Sequence, residues 1–400
     1  MSAVPYYSEG SPGPLTAVTV SGFKSLYEES RVEIRPLTIL AGVNSSGKSS
    51  IMQPLLLLKQ TLDARIDAGP LYLEGPNVTF TETSQFLSRP KPGRTFEPLV
   101  VEFELESGTT IREMFTHREG TGVELTQMIV RDALAHEFPI RPAMSNAEIV
   151  SILPPGVSLP QGEWRIERNR CWLACPIFID GRRAGLDYFH PETTAVQSRI
   201  LDSFHVSSAR ANSDRASLLT RPGVTMPGRF EEYIGGIAWA WREADDARLR
   251  GVGDALAYLG LSRSFDIQRV SETQVKLLVD RFPAASARKK PDFVNVADVG
   301  SGVAEVLPVL VALTAAEPRQ LVYLEEPELN LHPRAQAALA QVLADAAMRG
   351  VRVVAETHSS LLLLAIQTLV AEGKLSPDLV KLHWFSRDKR GATYQKPMSP

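Results

Sequence analysis

Cysteine is almost missing from this chain. Only Cys171 and Cys175 occur among 400 residues. A disulfide scaffold needs more, and the scarcity fits a reducing cytoplasm, which is the expected location. Long apolar runs are missing as well. Runs such as 55–58 and 361–366 are short, far below the ~20 residues that a membrane span takes. Residues 1–14 lack a basic segment followed by an apolar one, so no export signal is expected. Positive charge is not in excess: 43 Lys and Arg against 46 Asp and Glu give a net charge of −3. That excludes a uniformly basic chain and leaves a local basic patch open. Sustained heptads are absent from about 110 to 290, where prolines recur at 139, 142, 154, 155, 160, 176, 191, 222, 227 and 283, with 291 just beyond. A long coiled coil is therefore excluded there. There is no internal repeat.

What is present reads as globular, with 44% hydrophobic and 22% charged residues. Single cores stop growing near ~250–300 residues, so two lobes or one domain with a large insertion are expected. Residues 1–14, rich in Ser, Gly and Pro, read as a disordered tail. Residues 17–20 and 37–40 read as strands, and 51–62 as a helix with Pro54 near its first turn. Residues 101–106 alternate strictly between apolar side chains and Glu, the pattern of a half-exposed antiparallel strand. Inside the weakly patterned middle, 231–259 is the best helical stretch, and 281–292, with Arg288, Lys289 and Lys290, reads as an exposed basic loop. From 293 onward strands (293–297, 321–324, 351–355) alternate with helices (302–316, 333–348, 361–370). That alternation predicts a mostly parallel sheet.

Four motifs carry chemistry. Gly42-Val43-Asn44-Ser45-Ser46-Gly47-Lys48-Ser49 matches the P-loop pattern and sits between a predicted strand and a predicted helix. Glycines there let backbone N–H groups curl around phosphate, and the helix N-terminus adds its positive end. The expected phosphate-binding set is Gly42, Asn44, Ser45, Ser46, Gly47, Lys48, Ser49 and Ser50. Lys48 reaches the outer phosphates, and the Ser49 hydroxyl goes to Mg²⁺. The second motif is the apolar strand 321–324 followed by Glu325 and Glu326. Ligands of open α/β sheets collect at such strand ends. Adjacent strand residues point to opposite sides, so Glu325 is expected to hold Mg²⁺ and Glu326 to position or deprotonate an attacking water. An acidic turn after a strand is common by itself; its pairing with a P-loop gives it meaning. Third, Glu356-Thr357-His358-Ser359 follows the strand 351–355, and His358 there can sense a γ-phosphate. Fourth, Asp298-Val299-Gly300-Ser301-Gly302-Val303 opens a helix, another anion-binding device.

This order of motifs resembles the ABC-type ATPase head of the SMC, RecF and OLD (overcoming lysogenisation defect) group, and more narrowly its stand-alone bacterial AAA family ATPases. The resemblance implies a P-loop α/β head built from 15–110 and 292–400. An antiparallel β subdomain and an α/β insertion at 111–291 go with it. In that reading 42–49 is Walker A, 321–326 Walker B, 328–333 the D-loop, and His358 the switch histidine. Ser301 and Gly302 belong to a signature loop that binds the ATP of a second subunit. Residues 71–76 resemble the hairpin after the P-loop, and 204–215 an arginine-bearing segment. The signature loop lacks the Leu-Ser-Gly-Gly-Gln form of transporters, and Gln85 is the candidate for the Q-loop residue.

The resemblance implies an ATPase using ATP and Mg²⁺, with Glu326, His358 and Lys48 catalytic. It also implies a homodimer joined through its ATP sites. No carboxylate cluster follows His358, so no nuclease is expected in cis. The expected role is that of a sensor or regulator of a separate effector, such as a nuclease, in antiphage defence. The alternative is a RecF-like DNA-repair ATPase that clamps a duplex; nucleic-acid contact stays open. Cys171 and Cys175 complete no metal spacing, and Trp164, Trp172, Trp239 and Trp241 are expected to pack rather than stack on bases.

Overall fold

The computed structural model describes residues 13–89, 95–153, 161–187, 190–208, 215–220, 226–282, 290–389 and 391–398. Residues 1–12 of the expected tail, 209–214 of the arginine-bearing segment, and Arg288 and Lys289 lie outside these. The chain divides into two compact units. One holds residues 1–33, 50–201 and 387–395; the other holds 34–49, 202–386 and 396–400. Among the described residues no helix is long and apolar enough to cross a membrane.

The first unit is built on an antiparallel sheet. Its strands run in the order Ser30–Glu33, Leu15–Ser21, Leu99–Leu105, Thr110–Arg118, Gly122–Arg131 and Glu137–Ile140. The alternation read at 101–106 is real: Val101, Phe103 and Leu105 are buried, while Glu102 and Glu104 are half-exposed. The next strand alternates too, but its core-facing residues are Ile111, Glu113 and Phe115. A carboxyl group thus takes a core position. Trp164, Trp172 and both thiols are buried in this unit. Residues 71–79 form a loop closed by a single bridge, Glu74 to Thr79, rather than paired strands. The buried Gln60 side chain holds it, donating to the Tyr72 and Val78 carbonyls and accepting from the Asn77 and Val78 amides.

The second unit carries the parallel sheet. Its order is Phe204–Val206, Leu321–Glu325, Arg352–Thr357, Leu37–Gly42 and Val380–Arg387, the last ending at the unit boundary. These five strands are parallel. All six residues of Leu37–Gly42 are buried, as expected for a central strand covered on both faces. Helices Ser301–Ala315, Pro333–Met348 and Ser360–Ala371 supply apolar faces to one continuous core. A smaller antiparallel sheet joins Ser217–Leu218, Gln274–Asp280 and Phe265–Arg269, with Phe293–Asn295 also on Gln274–Asp280.

Two expectations need correction. The helical stretch at 231–259 is broken into Ile234–Glu243 and Ala247–Tyr258. Asp245 takes a left-handed φ of 50°, and the Asp246 carboxylate caps the second helix at the Arg248 amide. The strand expected at 293–297 ends at Asn295, whose side chain accepts from Ala297 N–H and starts a short turn at Val296–Asp298. Trp241 packs in the core as expected, with Trp239 partly buried against it.

Candidate nucleotide site

Three adjacent parallel strands, Leu321–Glu325, Arg352–Thr357 and Leu37–Gly42, end at the same edge of the sheet. Each end carries one motif. The strand Leu37–Gly42 runs into the P-loop, and the helix Lys48–Asp63 leaves it. Gly42 has φ of 151°, and a Cβ there would lie 2.4 Å from the Phe385 carbonyl oxygen. Gly47 has φ of 100°. Both positions therefore need glycine, and the loop keeps the close curl that a phosphate requires. The Lys48 ammonium folds back on the loop, donating to the Gly42 oxygen at 2.9 Å and the Val43 oxygen at 3.1 Å. Ser46 and Ser50 are buried, while Asn44 and Ser45 are exposed, Ser45 with φ of 60°.

Ser49 opens onto a carboxylate, and that carboxylate is Glu356. The hydroxyl donates to Glu356 Oε2 at 2.7 Å. Tyr323 donates its phenolic proton to the other oxygen, Oε1. Glu325 stands in register with Glu356 on the neighbouring strand, so both carboxylates emerge on one face. Glu325 is held differently: His205 Nε2 lies 3.2 Å from its Oε1, and the Ser208 amide and hydroxyl donate to Oε2 at 3.1 and 3.2 Å. The His205 ring stacks on Tyr323, with centroids 5.3 Å apart.

Burial and partners split these groups. Desolvation pushes Glu356 up to about 7, with the neighbouring Glu325 charge adding to it and the Tyr323 and Ser49 hydroxyls opposing it. Burial also works against the Glu325 anion, but bonds from His205 and Ser208 outweigh it and hold this carboxyl below its usual range. Burial, then the Glu356 and Glu325 charges, push the Tyr323 phenol well up.

Glu326 begins the turn after its strand with a left-handed φ of 44°. Its amide donates to the Glu356 carbonyl at 3.0 Å, and its Oε1 lies 3.4 Å from His358 Nδ1. The two expected catalytic groups are thus brought together, both partly open to solvent. Ser359, not His358, caps the following helix, accepting from the Leu362 amide. The Ser359 hydroxyl also donates to Gln336 Oε1 at 2.8 Å, and Gln336 Nε2 donates to the Leu331 oxygen at 2.9 Å. A buried Glu328 accepts from the Thr357 hydroxyl. The D-loop turn and the histidine strand end are therefore one hydrogen-bonded piece.

The helix expected to follow a signature loop starts at Ser301, an exposed residue, with Gly300 before it as cap. A Cβ on Gly302 would lie 3.1 Å from the Asn330 oxygen, so the helix start packs closely on the D-loop turn. Arg215 pairs with Asp298 at 2.7 Å beside it. Among the described residues no hydrogen bond links Ser301 to residues 42–50. Gln85 lies in a short turn of the other unit and bonds locally to Thr81. No group of three metal-ligating side chains of the His, Cys, Asp and Glu kind occurs among the described residues, Cys171 and Cys175 included. Sequence reasoning gave Glu356, His205 and Tyr323 no role. The register of Glu356 with Glu325 becomes visible only once the strands are paired.

A family model described as "AAA domain, putative AbiEii toxin, Type IV TA system" matches residues 246–365. That stretch takes in the signature loop, Glu325, Glu326 and His358. No curated protein matches the sequence. Among solved structures the chain is similar to an SMC head bound to the C-winged helix domain of ScpA, at 12% identity and a TM-score of 0.54, covering 96% of this chain and 98% of that one. An SMC head with an extended coiled coil, bound to the C-terminal domain of ScpA and derived from Pyrococcus furiosus, gives 10% identity, 97% and 96% coverage and a TM-score of 0.48. The SMC head domain from Thermotoga maritima gives 11%, 97% and 100%, and 0.44. At 12% identity the first of these likenesses is one of fold. The chain thus shares the fold of an SMC head, with a P-loop at one strand end and a segment matching the AAA-domain model supplying the neighbouring two.

Proposed function

We propose that this chain binds ATP with Mg²⁺ and hydrolyses it to ADP and phosphate. The observation that carries this reading is the meeting of the P-loop, the Glu325–Glu326 pair and the Glu356–His358 end on three neighbouring strands. The residues present fit the nucleotide. A Cβ would fill the cradle at Gly42, and Lys48 is parked on two loop carbonyls that it can exchange for phosphate oxygens. They fit the metal as well: a hydroxyl and carboxylates are the hard oxygen donors that Mg²⁺ prefers. Ser49 and Glu325 would hold the ion, which when bound neutralises charge on the phosphates.

The chain's own work is positioning. Residues 42–50 hold the phosphates, and Lys48 stabilises charge on the outer ones. Glu326 aligns the water for in-line attack and takes up its proton. His358, against Glu326 at 3.4 Å, keeps that carboxylate in place. Replacing Glu326 by Gln is expected to slow turnover roughly 10²–10⁴-fold with ATP still bound. An unchanged rate would remove Glu326 from the mechanism.

Ser301 and Gly302 would complete the site of a second subunit, so ATP would join two copies head to head. Light scattering with Mg²⁺-ATP is the test. The mass should rise towards the dimer and stay raised in the Glu326→Gln protein; a constant mass at all concentrations would sink the trans site. The matched family's toxin description, and the partner named with the SMC heads, support action through a separate protein. We place that effector, such as a nuclease, in antiphage defence. Metal-dependent DNA cleavage by the purified chain alone would count against this.

A further inference from the structure

The two carboxylates on the sheet edge are not equivalent. Glu325 already has a histidine and a serine on its oxygens. Glu356 is 2% exposed, and its two oxygens are held by neutral hydroxyls, those of Tyr323 and Ser49. Among the described residues no Lys, Arg or His forms an ion pair with it. A purely structural acceptor for two hydroxyls needs no charge, and a buried carboxylate without a cation is costly. Its position adds a second reason. Ser49 is the hydroxyl that a P-loop offers to the metal, and it points at Glu356 at 2.7 Å. Glu325 stands in register alongside, so two acidic groups share one face, with the Lys48 charge acting on Glu356 from the P-loop and His205 against Glu325.

We propose that Glu356 is a metal-facing carboxylate of this site, joining Ser49 at the divalent cation of the nucleotide complex. The proposal rests on the ATPase reading above. Tyr323 is then a positioning residue: it fixes one oxygen of Glu356 so that the other side faces Ser49. His205 serves Glu325 in the same way, and its stacking on Tyr323 ties the two supports together.

The test uses Mn²⁺ as probe, with ADP, on the full chain, read by electron paramagnetic resonance. Glu356→Gln keeps the shape and one accepting oxygen and removes the charge. It should weaken Mn²⁺ binding to the protein–ADP complex by roughly 10–100-fold. ADP affinity measured without metal should hold. Tyr323→Phe, which keeps the carboxylate, should weaken Mn²⁺ far less. A Glu356→Gln protein that titrates like wild type overturns the proposal. Should that variant not fold, a wild-type crystal with Mn²⁺ and ADP decides by anomalous scattering. A peak at Ser49 and Glu356 supports the proposal. A peak elsewhere, with Glu356 still closed on Ser49 and Tyr323, overturns it. Failure of wild type to bind ADP or ATP at all would fell the nucleotide reading itself, a different result from either.

Discussion

Glu113 offers the sharpest test of the physical reasoning. It occupies the core position between Ile111 and Phe115 on the strand Thr110–Arg118, with 0% exposure. Neither of its oxygens has a hydrogen-bond partner. Burial pushes its carboxyl well above the ordinary value of 4.5, and its presence in turn adds to the upward push on the buried Cys171 thiol, where desolvation dominates. The folded chain therefore holds this proton after the unfolded chain has released it. Above pH 4.5 the folded state binds more protons, so stability falls as pH rises, until Glu113 ionises in place. The slope for one proton is about 1.4 kcal/mol per pH unit. Glu113→Gln removes that linkage without changing the shape. Urea denaturation from pH 5 to 8 should show the variant gaining on wild type by up to roughly 1.4 kcal/mol for each unit, the gain levelling where the buried carboxyl finally titrates. Two parallel stability curves would refute the argument and mean that Glu113 has a compensating partner.

Three further outcomes are expected. Lys48→Ala should lose ATP binding while its thermal melt stays close to wild type, because Lys48 bonds only to carbonyls of its own loop; a fluorescent ATP analogue measures the first and circular dichroism the second. Gln60→Ala strips four hydrogen bonds from the loop at 72–78, two of them to carbonyls and two from amides, and should cost on the order of 2–4 kcal/mol in denaturant unfolding. Ser359→Ala removes a helix cap and the bond to Gln336; it should cost about 1 kcal/mol and also lower the ATPase rate, whereas loss of stability alone would uncouple the cap from the site.

The sequence was most legible where its signals are local. The P-loop is contiguous, and the strands and helices expected between 302 and 370 are apolar and punctuated, so their bounds fall within a few residues of the observed ones; the strands Val380–Arg387 and Thr393–Met398 were not expected. Pro333–Met348 coincides with its expected bounds because Pro333 marks its first turn. The middle was opaque for a physical reason. Several of its strands are only two to four residues long, as in Glu163–Trp164, Trp172–Ala174 and Ser217–Leu218, too short to show a period. One break there was readable: Asp246 ahead of Ala-Arg-Leu is an N-cap signal. The site divides along the same line. Lys48, Ser49, Glu325, Glu326 and His358 announce themselves by motif. Glu356, Tyr323 and His205 become neighbours only through parallel pairing of Phe204–Val206 with Leu321–Glu325 and of that strand with Arg352–Thr357. Glu113 escaped because an acidic residue on an alternating strand reads as solvent-facing.

The chain of contacts from Leu331 through Gln336 to Ser359 has a mechanical consequence. Two hydrogen bonds join the turn after Walker B to the cap next to His358. Gly302, pressed against the Asn330 oxygen, extends that piece to the start of the signature helix. The turn that carries Asn330, the start of the helix Ser301–Ala315 and the strand end that carries His358 are thus tied together as one piece. Asn330, exposed at its tip, is the natural place for a fluorescent label: light from there would report the state of His358 without touching the pocket.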